Sequence, residues 1–218
     1  MWLPQLPRAL WWDHNAYYHR WLLARLPARL DSALDAGCGA GALAGRLAER
    51  VRNVDAVDVS PTMIRRAMAV SPARVNWLLG DLLDETLPLD PGGYDLVVAV
   101  ASLHHLPLRP ALGRSAGLVR LAGLVRPGGM LAVIGLYRKA TLVDVGMEVL
   151  ALPANAAVGA WLAVRGRAGK ANDVDMPIRP PSSTFAEIRA AAAEYAPGAV
   201  VRRRLFWRYT LLWRRPAK

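Results

Sequence analysis

The stretch over residues 34–44, LDAGCGAGALA, joins a short apolar run ending in an acid to three glycines and a series of helix formers. Two patterns with different ligands fit it. Gly37, Gly39 and Ala42 satisfy the loose dinucleotide fingerprint, in which a pyrophosphate lies at a helix N-terminus. Gly37, Gly39 and Gly41 satisfy a second pattern, in which the ligand carries no phosphate. Features elsewhere in the chain must decide between the two ligands.

Asp35, two residues before the first glycine, favours the second pattern. A carboxylate repels a pyrophosphate in a partly desolvated pocket, whereas it attracts a ligand that carries an ammonium and a sulfonium group. S-adenosylmethionine carries both groups. Its methionine chain also needs the close backbone approach that Gly37 and Gly39 allow, because neither residue has a side chain.

Two more carboxylates follow predicted strands. From residue 34 onward apolar runs alternate with helical segments, which predicts a parallel sheet covered on both faces. The predicted strands span residues 33–36, 54–58, 75–79, 94–100 and 130–136, and the first helix spans residues 41–50. Asp58 ends the second strand, where it can accept from ribose hydroxyls. Asp81 follows the third strand, where it can accept from an adenine amino group while the Leu82 N–H donates to the ring.

Five runs, in this order over residues 33–136, resemble the class I S-adenosylmethionine-dependent methyltransferases of the small bacterial type that act on small molecules. They are LDAGCGAGALA, VDAVDVSPTM, GDLLD, YDLVVAVASLHHL and LVRPGGML. The resemblance implies an α/β fold with a Rossmann-like, doubly wound sheet of seven strands, one of them antiparallel, and helices on both faces. It also implies S-adenosylmethionine as cofactor and methyl transfer to a small, apolar acceptor by in-line displacement.

Positions that match the family motifs imply the cofactor contacts. They are Asp35, Gly37 and Gly39 for the methionine end, Asp58 with the adjacent Val59 for the ribose, Met63, Asp81 and Leu82 for the adenine, the Val100 backbone for the ligand's amino group, and Tyr18 from the N-terminal segment. At Val100 and Ala101 the chain departs from relatives that carry small polar residues there. A backbone contact is unaffected by this change.

Catalysis by this chemistry does not require a base. Orientation alone can supply on the order of 7–11 kcal/mol, and a base is needed only when the acceptor is a hydroxyl or a carbon acid. The candidates for a base are His104, which follows the fourth strand, and His14, in the aromatic segment DHNAYYHR. A structural role for the pair His104–His105 stays open, and we predict no metal site.

We expect one domain over residues 1–218 with four parts: an aromatic helical cap (1–30), a cofactor-binding core (31–137), a substrate lid (138–182), and a C-terminal helix with a closing hairpin (183–218). The apolar run 142–164 is interpreted as a buried or lid-forming helix. Its two acids and its proline disfavour a membrane span.

Positive charge is concentrated in the last third of the chain. Residues 1–137 hold 14 Arg and 11 acids, a net charge of +3, whereas residues 138–218 hold 14 Arg plus Lys and 6 acids, a net charge of +8. Coding bias is one interpretation, and two alternatives stay open: a quinone-type C-methyltransferase with peripheral contact to a membrane surface, and an RNA-binding methyltransferase. Nucleic acid is disfavoured because no recognition motif accompanies the charge. Cys38 is the only cysteine, which fits a cytoplasmic protein. The acceptor atom and the oligomeric state stay open.

Overall fold

A computed structural model describes residues 11–70, 74–109, 117–167 and 179–217. The strands are β1 (Leu30–Ala36), β2 (Val51–Asp58), β3 (Val75–Leu79), β4 (Tyr94–Val100), β5 (Val125–Gly135), β6 (Val200–Arg204) and β7 (Arg208–Arg214). The helices are α1 (His14–Leu23), α2 (Ala42–Ala48), α3 (Pro61–Val70), α4 (Gly117–Leu124), α5 (Leu142–Val164) and α6 (Phe185–Tyr195).

These strands form one seven-stranded sheet in the order β3-β2-β1-β4-β5-β7-β6. Strand β7 runs antiparallel to both of its neighbours, and the remaining pairs are parallel. The predicted Rossmann-like fold is therefore confirmed, including its single antiparallel strand and the closing hairpin formed by β6 and β7.

Alternate side chains of each central strand enter different cores, as the period of a strand requires. In β4, Leu96 packs with the core that holds α1 and α2, whereas Val97 packs with the core that holds α4 and α6. This covering on both faces explains why β4 is apolar without interruption from Leu96 to Val100.

The strand boundaries differ from the sequence predictions at the amino ends. Strand β1 begins at Leu30 because the N–H groups of Asp31 and Ser32 both donate to the buried carboxylate of Asp95, at 2.8 and 2.9 Å. Strand β5 begins at Val125 rather than residue 130. Residues 126–129, with the sequence RPGG, form an irregularity within β5, since Tyr94 pairs with Val125 and Leu96 already pairs with Met130.

A capping box formed by Thr184 and Glu187 opens α6. The Thr184 hydroxyl accepts from the Glu187 N–H at 3.2 Å, and the Glu187 carboxylate accepts from the Thr184 N–H at 2.7 Å. The helix ends at Tyr195, two residues before Pro197 and Gly198, which are typical of a helix end. Local capping chemistry was therefore sufficient to place both ends of this helix within two residues.

Residues 142–164 form α5. The interpretation of this run as a buried helix is wrong. Four of its residues are buried, namely Asp144, Ala151, Asn155 and Gly159. By length and composition alone α5 could cross a membrane. The other interpretation, a substrate lid over residues 138–182, stays a prediction, and its residues 168–178 lie outside the described part of the chain.

Two buried polar contacts attach α5 to the rest of the protein. Arg203 of the hairpin donates to the Asp144 carboxylate at 2.8 Å. The Asn155 side-chain oxygen accepts from the Trp12 indole at 2.8 Å and lies 2.9 Å from the His14 ring nitrogen Nε2. Because the buried side of α5 carries these polar groups, its orientation on the protein is fixed by specific hydrogen bonds.

We expect Asp144→Asn to lower the free energy of unfolding by about 2 kcal/mol, since it removes charge-assisted hydrogen bonds from a buried site. Burial alone would raise the pKa of Asp144, but hydrogen bonds from the Ala140 N–H, Arg203 and Thr141 outweigh it and lower the pKa to about 2. The stabilisation by Asp144 is therefore present above about pH 4 and is lost as the pH falls towards 2.

Urea unfolding at several pH values measures this stabilisation. In the control, Glu194→Gln removes an exposed pair with Arg109 and should cost less than about 1 kcal/mol. An equal loss in both variants at neutral pH would contradict the assignment.

Candidate functional site

A cavity of about 270 Å³ opens at the carboxyl ends of β1, β2 and β4. Strand β1 lies between β2 and β4, so the crevice is at the point where the strand order reverses, the usual ligand site of open α/β sheets. The lining residues are Ala36, Gly37, Val57, Asp58, Val59, Ser60, Met63, Gly80, Asp81, Leu82, Ala99, Val100, Ala101, Ser102, His105, Leu106 and Leu121.

The turn after β1 needs glycine for two separate reasons. Gly37, Gly39 and Gly41 have φ of +79°, +53° and +80°, a region that other residues adopt at a cost. In addition, a Cβ on Gly37 would lie 2.3 Å from the Cβ of Ser102, at the end of β4. The hydroxyl of Ser102 donates to the Ala36 carbonyl at 2.6 Å, which holds the two strand ends together.

The backbone N–H groups of this turn are used within the protein. Those of Gly37 and Cys38 donate to the Val57 carbonyl, at 2.8 and 3.0 Å. The Gly41 N–H donates to the Cys38 carbonyl at 3.0 Å. The Gly39 N–H donates to the Asp58 carboxylate at 2.9 Å. A pyrophosphate at a glycine-rich turn is bound by N–H groups of this kind, and these four are already bonded within the protein.

Asp58 is held in place by backbone donors on both of its oxygens. One oxygen accepts from the Gly39 N–H and the other from the Ser60 N–H, at 2.9 and 2.8 Å. A carboxylate has about four acceptor positions, so about two remain available. Because Asp58 lines the cavity, those positions can accept from a ligand with two neighbouring hydroxyls.

Asp35 lies behind the glycine turn and is not among the residues that line the cavity. Its side chain is 2% exposed, and its oxygen Oδ2 is buried without a hydrogen-bond partner. Burial raises the pKa of Asp35 to about 7; a hydrogen bond from the Ala44 backbone opposes this shift, and nearby Asp58 adds to it. An unpaired buried carboxyl of this kind is a source of attraction for a cation placed over the turn.

The other end of the cavity is apolar with one acid. Met63 is buried, Val59 is 69% exposed, and both line the cavity. Asp81 and Leu82 follow β3 on the same wall, and the Asp81 carboxylate accepts from the Leu83 N–H at 3.0 Å. These four residues lie together, as the order of motifs in the sequence predicted. Gly39, in contrast, is placed by its bond to Asp58 and is not a lining residue.

The segment after β4 contains lining residues that the sequence analysis missed. Ala101 has a φ of +53°, unusual for a residue with a side chain, and its N–H donates to the Ile134 carbonyl at 2.7 Å. Ser102 and His105 also line the cavity. Nothing in the sequence signals the left-handed backbone at Ala101, whereas the histidine pair had already drawn attention to this loop.

The two predicted catalytic histidines do not lie in the cavity wall of this structure. His104 hydrogen-bonds to the Arg179 backbone, and burial, with His105 beside it, lowers the pKa of His104 to about 4. At neutral pH the His104 ring is therefore unprotonated and a weak base. His14 bonds to Asn155 of α5, and burial lowers its pKa as well. His105, not His104, faces the cavity.

Tyr18, the predicted cofactor contact from the N-terminal segment, is part of the core instead. Its side chain is 2% exposed, and its hydroxyl donates to the Leu205 carbonyl at 2.6 Å. The prediction is corrected on this physical ground: the hydroxyl is needed to bond the hairpin.

In the described ranges, no group of three or more His, Cys, Asp or Glu side chains could hold a metal ion.

Comparisons with known proteins agree with this geometry. A family model described as a methyltransferase domain matches residues 33–129. An uncharacterized methyltransferase of Mycobacterium bovis is 36% identical over 212 residues, which cover 94% of this chain and 98% of that protein. An uncharacterized methyltransferase of Mycobacterium tuberculosis matches with the same identity and coverage. The chain belongs to the methyltransferase family.

Solved structures share the fold of this methyltransferase. One is the methyltransferase in a complex with the Haloferax volcanii Trm112 methyltransferase activator, with a TM-score of 0.58 at 19% identity, covering 93% of this chain and 89% of that one. Another is the magnesium protoporphyrin IX methyltransferase of Synechocystis with bound SAH, with a TM-score of 0.53 at 23% identity, covering 92% and 81% of the two chains.

In this methyltransferase we expect Asp35 to make stability depend on pH. Its folded-state pKa of about 7 lies above the ordinary 3.8, so the folded state binds more protons than the unfolded state between these values. The contribution of Asp35 to the free energy of unfolding should therefore fall by about 2 kcal/mol or more as the pH rises from about 4 to about 7. The difference between wild type and Asp35→Asn isolates this contribution, because His104 and His14, whose pKa values are lowered, act in the opposite direction. Asp35→Asn should not show this fall, because an amide does not ionise.

Urea unfolding of both proteins across this pH range measures the effect. Glu49→Gln, at an exposed acid, is the control for loss of one negative charge. Parallel pH profiles for wild type and Asp35→Asn would show that Asp35 is not a buried titrating group.

Proposed function

We propose that this protein transfers a methyl group from S-adenosylmethionine to a small, apolar acceptor. The observation that supports this cofactor is that N–H groups of the glycine turn donate hydrogen bonds within the protein. Gly39 donates to Asp58, and Gly37 and Cys38 donate to Val57. A dinucleotide would have to displace these bonds and place its pyrophosphate beside two carboxylates, Asp35 and Asp58.

The residues present fit the proposed cofactor. Asp35 has an unpartnered buried oxygen under the turn, which attracts the ammonium and sulfonium charges. Gly37 lines the cavity without a side chain, so the methionine chain can approach its backbone. Asp58 would bind the ribose hydroxyls with its remaining acceptor positions.

The adenine would lie at the β3 side of the cavity. Met63 and Val59 provide apolar surface for the ring, and Asp81 would accept from the amino group while the Leu82 N–H donates. The carbonyl of Val100, at the end of β4, would accept from the ligand's amino group, and this contact does not depend on the side chain.

Catalysis would rest on orientation and exclusion of water. When bound, S-adenosylmethionine supplies an electrophilic methyl group on a good leaving group. The chain contributes apolar walls, including Leu106 and Leu121, that keep water from the reacting atoms. Holding an acceptor in line can supply on the order of 7–11 kcal/mol without a base. A pKa of about 4 makes His104 a weak base, in agreement with this mechanism.

A second cavity, of about 180 Å³, supports an apolar acceptor. It lies where β5 ends, between the first turns of α5 and the hairpin. Its apolar lining residues include Tyr137, Met147 and Trp207, and its charged ones are Lys139, Asp144, Glu148 and Arg204. The Trp207 indole N–H is buried without a hydrogen-bond partner, so it can donate to one polar atom of an otherwise apolar molecule. Strands β4 and β5 are neighbours, which places both cavities at the same edge of the sheet.

Binding of the cofactor provides the first test. We expect calorimetry to detect S-adenosylmethionine and its demethylated product, and to give no heat with NAD. Asp58→Ala should weaken binding by roughly tenfold or more, because it removes the ribose acceptor and frees the Gly39 N–H. Asp84→Ala removes an exposed acid four residues after Gly80 and should leave the affinity unchanged. Binding of NAD, or equal affinities in the two variants, would contradict the proposed site.

Methyl transfer itself requires a product. We expect incubation with methyl-labelled S-adenosylmethionine and a lipid-soluble cell extract to give a labelled, organic-extractable small molecule. Label that appears only in protein or RNA would contradict the acceptor class, while leaving the cofactor assignment intact.

A further inference from the structure

Helix α5 presents an exposed face with no polar side chain. All of its exposed residues are apolar, and the large ones are Leu142, Val143, Val145, Val149, Leu150, Trp161 and Val164. The polar residues of α5, namely Asp144, Glu148 and Asn155, lie on the opposite side. A helix on the surface of a globular protein normally has the reverse arrangement, with its polar face towards solvent.

Helix α6 of the same protein shows the normal arrangement. Its exposed positions include Glu187, Arg189 and Glu194, and its buried positions are apolar. The exposed apolar face of α5 is therefore a property of this one helix and not of the overall composition. Contiguous apolar surface of this extent marks a site of interaction.

The charges around α5 indicate which partner this face contacts. Both acids of the helix are neutralised, Asp144 by Arg203 at 2.8 Å and Glu148 by Lys139 at 2.6 Å. Beyond its C-terminal end Arg165 and Arg167 are exposed. The last third of the chain, residues 138–218, carries a net charge of +8. An apolar face bordered by cations complements an anionic surface.

Trp161 and Arg165 add a feature of lipid interfaces. Trp161 is half exposed, and the Arg165 guanidinium lies 4.0 Å from the centre of its ring. Tryptophan and basic side chains are enriched at the level of lipid headgroups, where an indole has both apolar and polar surroundings. This pair lies at the end of α5 where the exposed arginines follow.

We propose that α5 docks the protein onto an anionic lipid surface, lying in the plane of the membrane with its apolar face among the acyl chains. The helix lies on the membrane and does not cross it, because its other side is bonded to the protein through Asp144 and Asn155. A second copy of the chain fits less well. Pairing through this face would bring together two strongly basic surfaces, each from a chain of net charge +11.

Vesicle flotation without any cofactor tests this proposal independently of the enzymatic activity. We expect the protein to float with vesicles of phosphatidylcholine and phosphatidylglycerol, to float much less with pure phosphatidylcholine, and to be released in part by salt. The double variant Val149→Glu/Leu150→Glu should lower vesicle affinity by roughly tenfold or more, since it places two charges among acyl chains.

The matched control is Met68→Glu/Val70→Glu, which changes two exposed apolar residues of α3 and should leave flotation unchanged. Circular dichroism establishes that both variants are folded. Equal flotation of wild type and the α5 variant would overturn the proposal, as would equal binding to neutral vesicles. A wild-type dimer in light scattering that the α5 variant abolishes, with no vesicle binding, would assign the face to a second copy instead. Failure of S-adenosylmethionine binding would affect the proposed reaction but not this result.

Discussion

The bond between the Gly39 N–H and the Asp58 carboxylate joins the turn after β1 to the end of β2. The site depends on it in two ways. It holds the turn in a conformation where the neighbouring N–H groups donate to Val57, and it aims the rest of the Asp58 carboxylate into the cavity. One charge-assisted hydrogen bond of this kind is among the stronger single contacts in a protein. The bond between Gly39 and Asp58 therefore fixes the shape of the turn and holds a negative charge where a ligand would meet it.

Asp35 extends the same electrostatic arrangement beneath the turn. A carboxyl with an unpartnered oxygen is costly to ionise when buried, and its pKa of about 7 expresses that cost. A cationic ligand would reduce the cost by supplying the missing charge. The buried Asp35 carboxyl therefore destabilises the protein without ligand. A cationic ligand would remove part of this destabilisation, and the free energy recovered would contribute to its binding.

The parts of this fold that could be predicted are those decided by local sequence. The strands end at Asp58, Leu79 and Val100 as predicted, because apolar runs and turn residues fix those ends. The catalytic residue predicted from the sequence is His104, whereas His105 faces the cavity; the two lie in one 3₁₀ turn, where successive side chains point about 120° apart, and the sequence does not show which of them faces the ligand site. The exposure of α5 was also unpredictable, since periodicity identifies an apolar helix but not whether anything covers it.

The aromatic residues of the N-terminal segment resemble a ligand-binding motif in the sequence, but in the structure they pack against the hairpin. At the hairpin tip Phe206 and Trp207 both have a φ of +60°, which costs about 1 kcal/mol or more for each residue with a side chain. Phe206 packs edge-on against Trp12, with the ring centres 4.9 Å apart, and Tyr18 bonds to Leu205 beside it. The aromatic residues near the N-terminus are therefore needed to hold a strained turn. Because Trp12 also bonds to Asn155, the same residues connect that turn to α5. The helix with the apolar face is thus attached to the hairpin that closes the sheet, and Trp207 of this hairpin lines the second cavity together with residues of the first turns of α5.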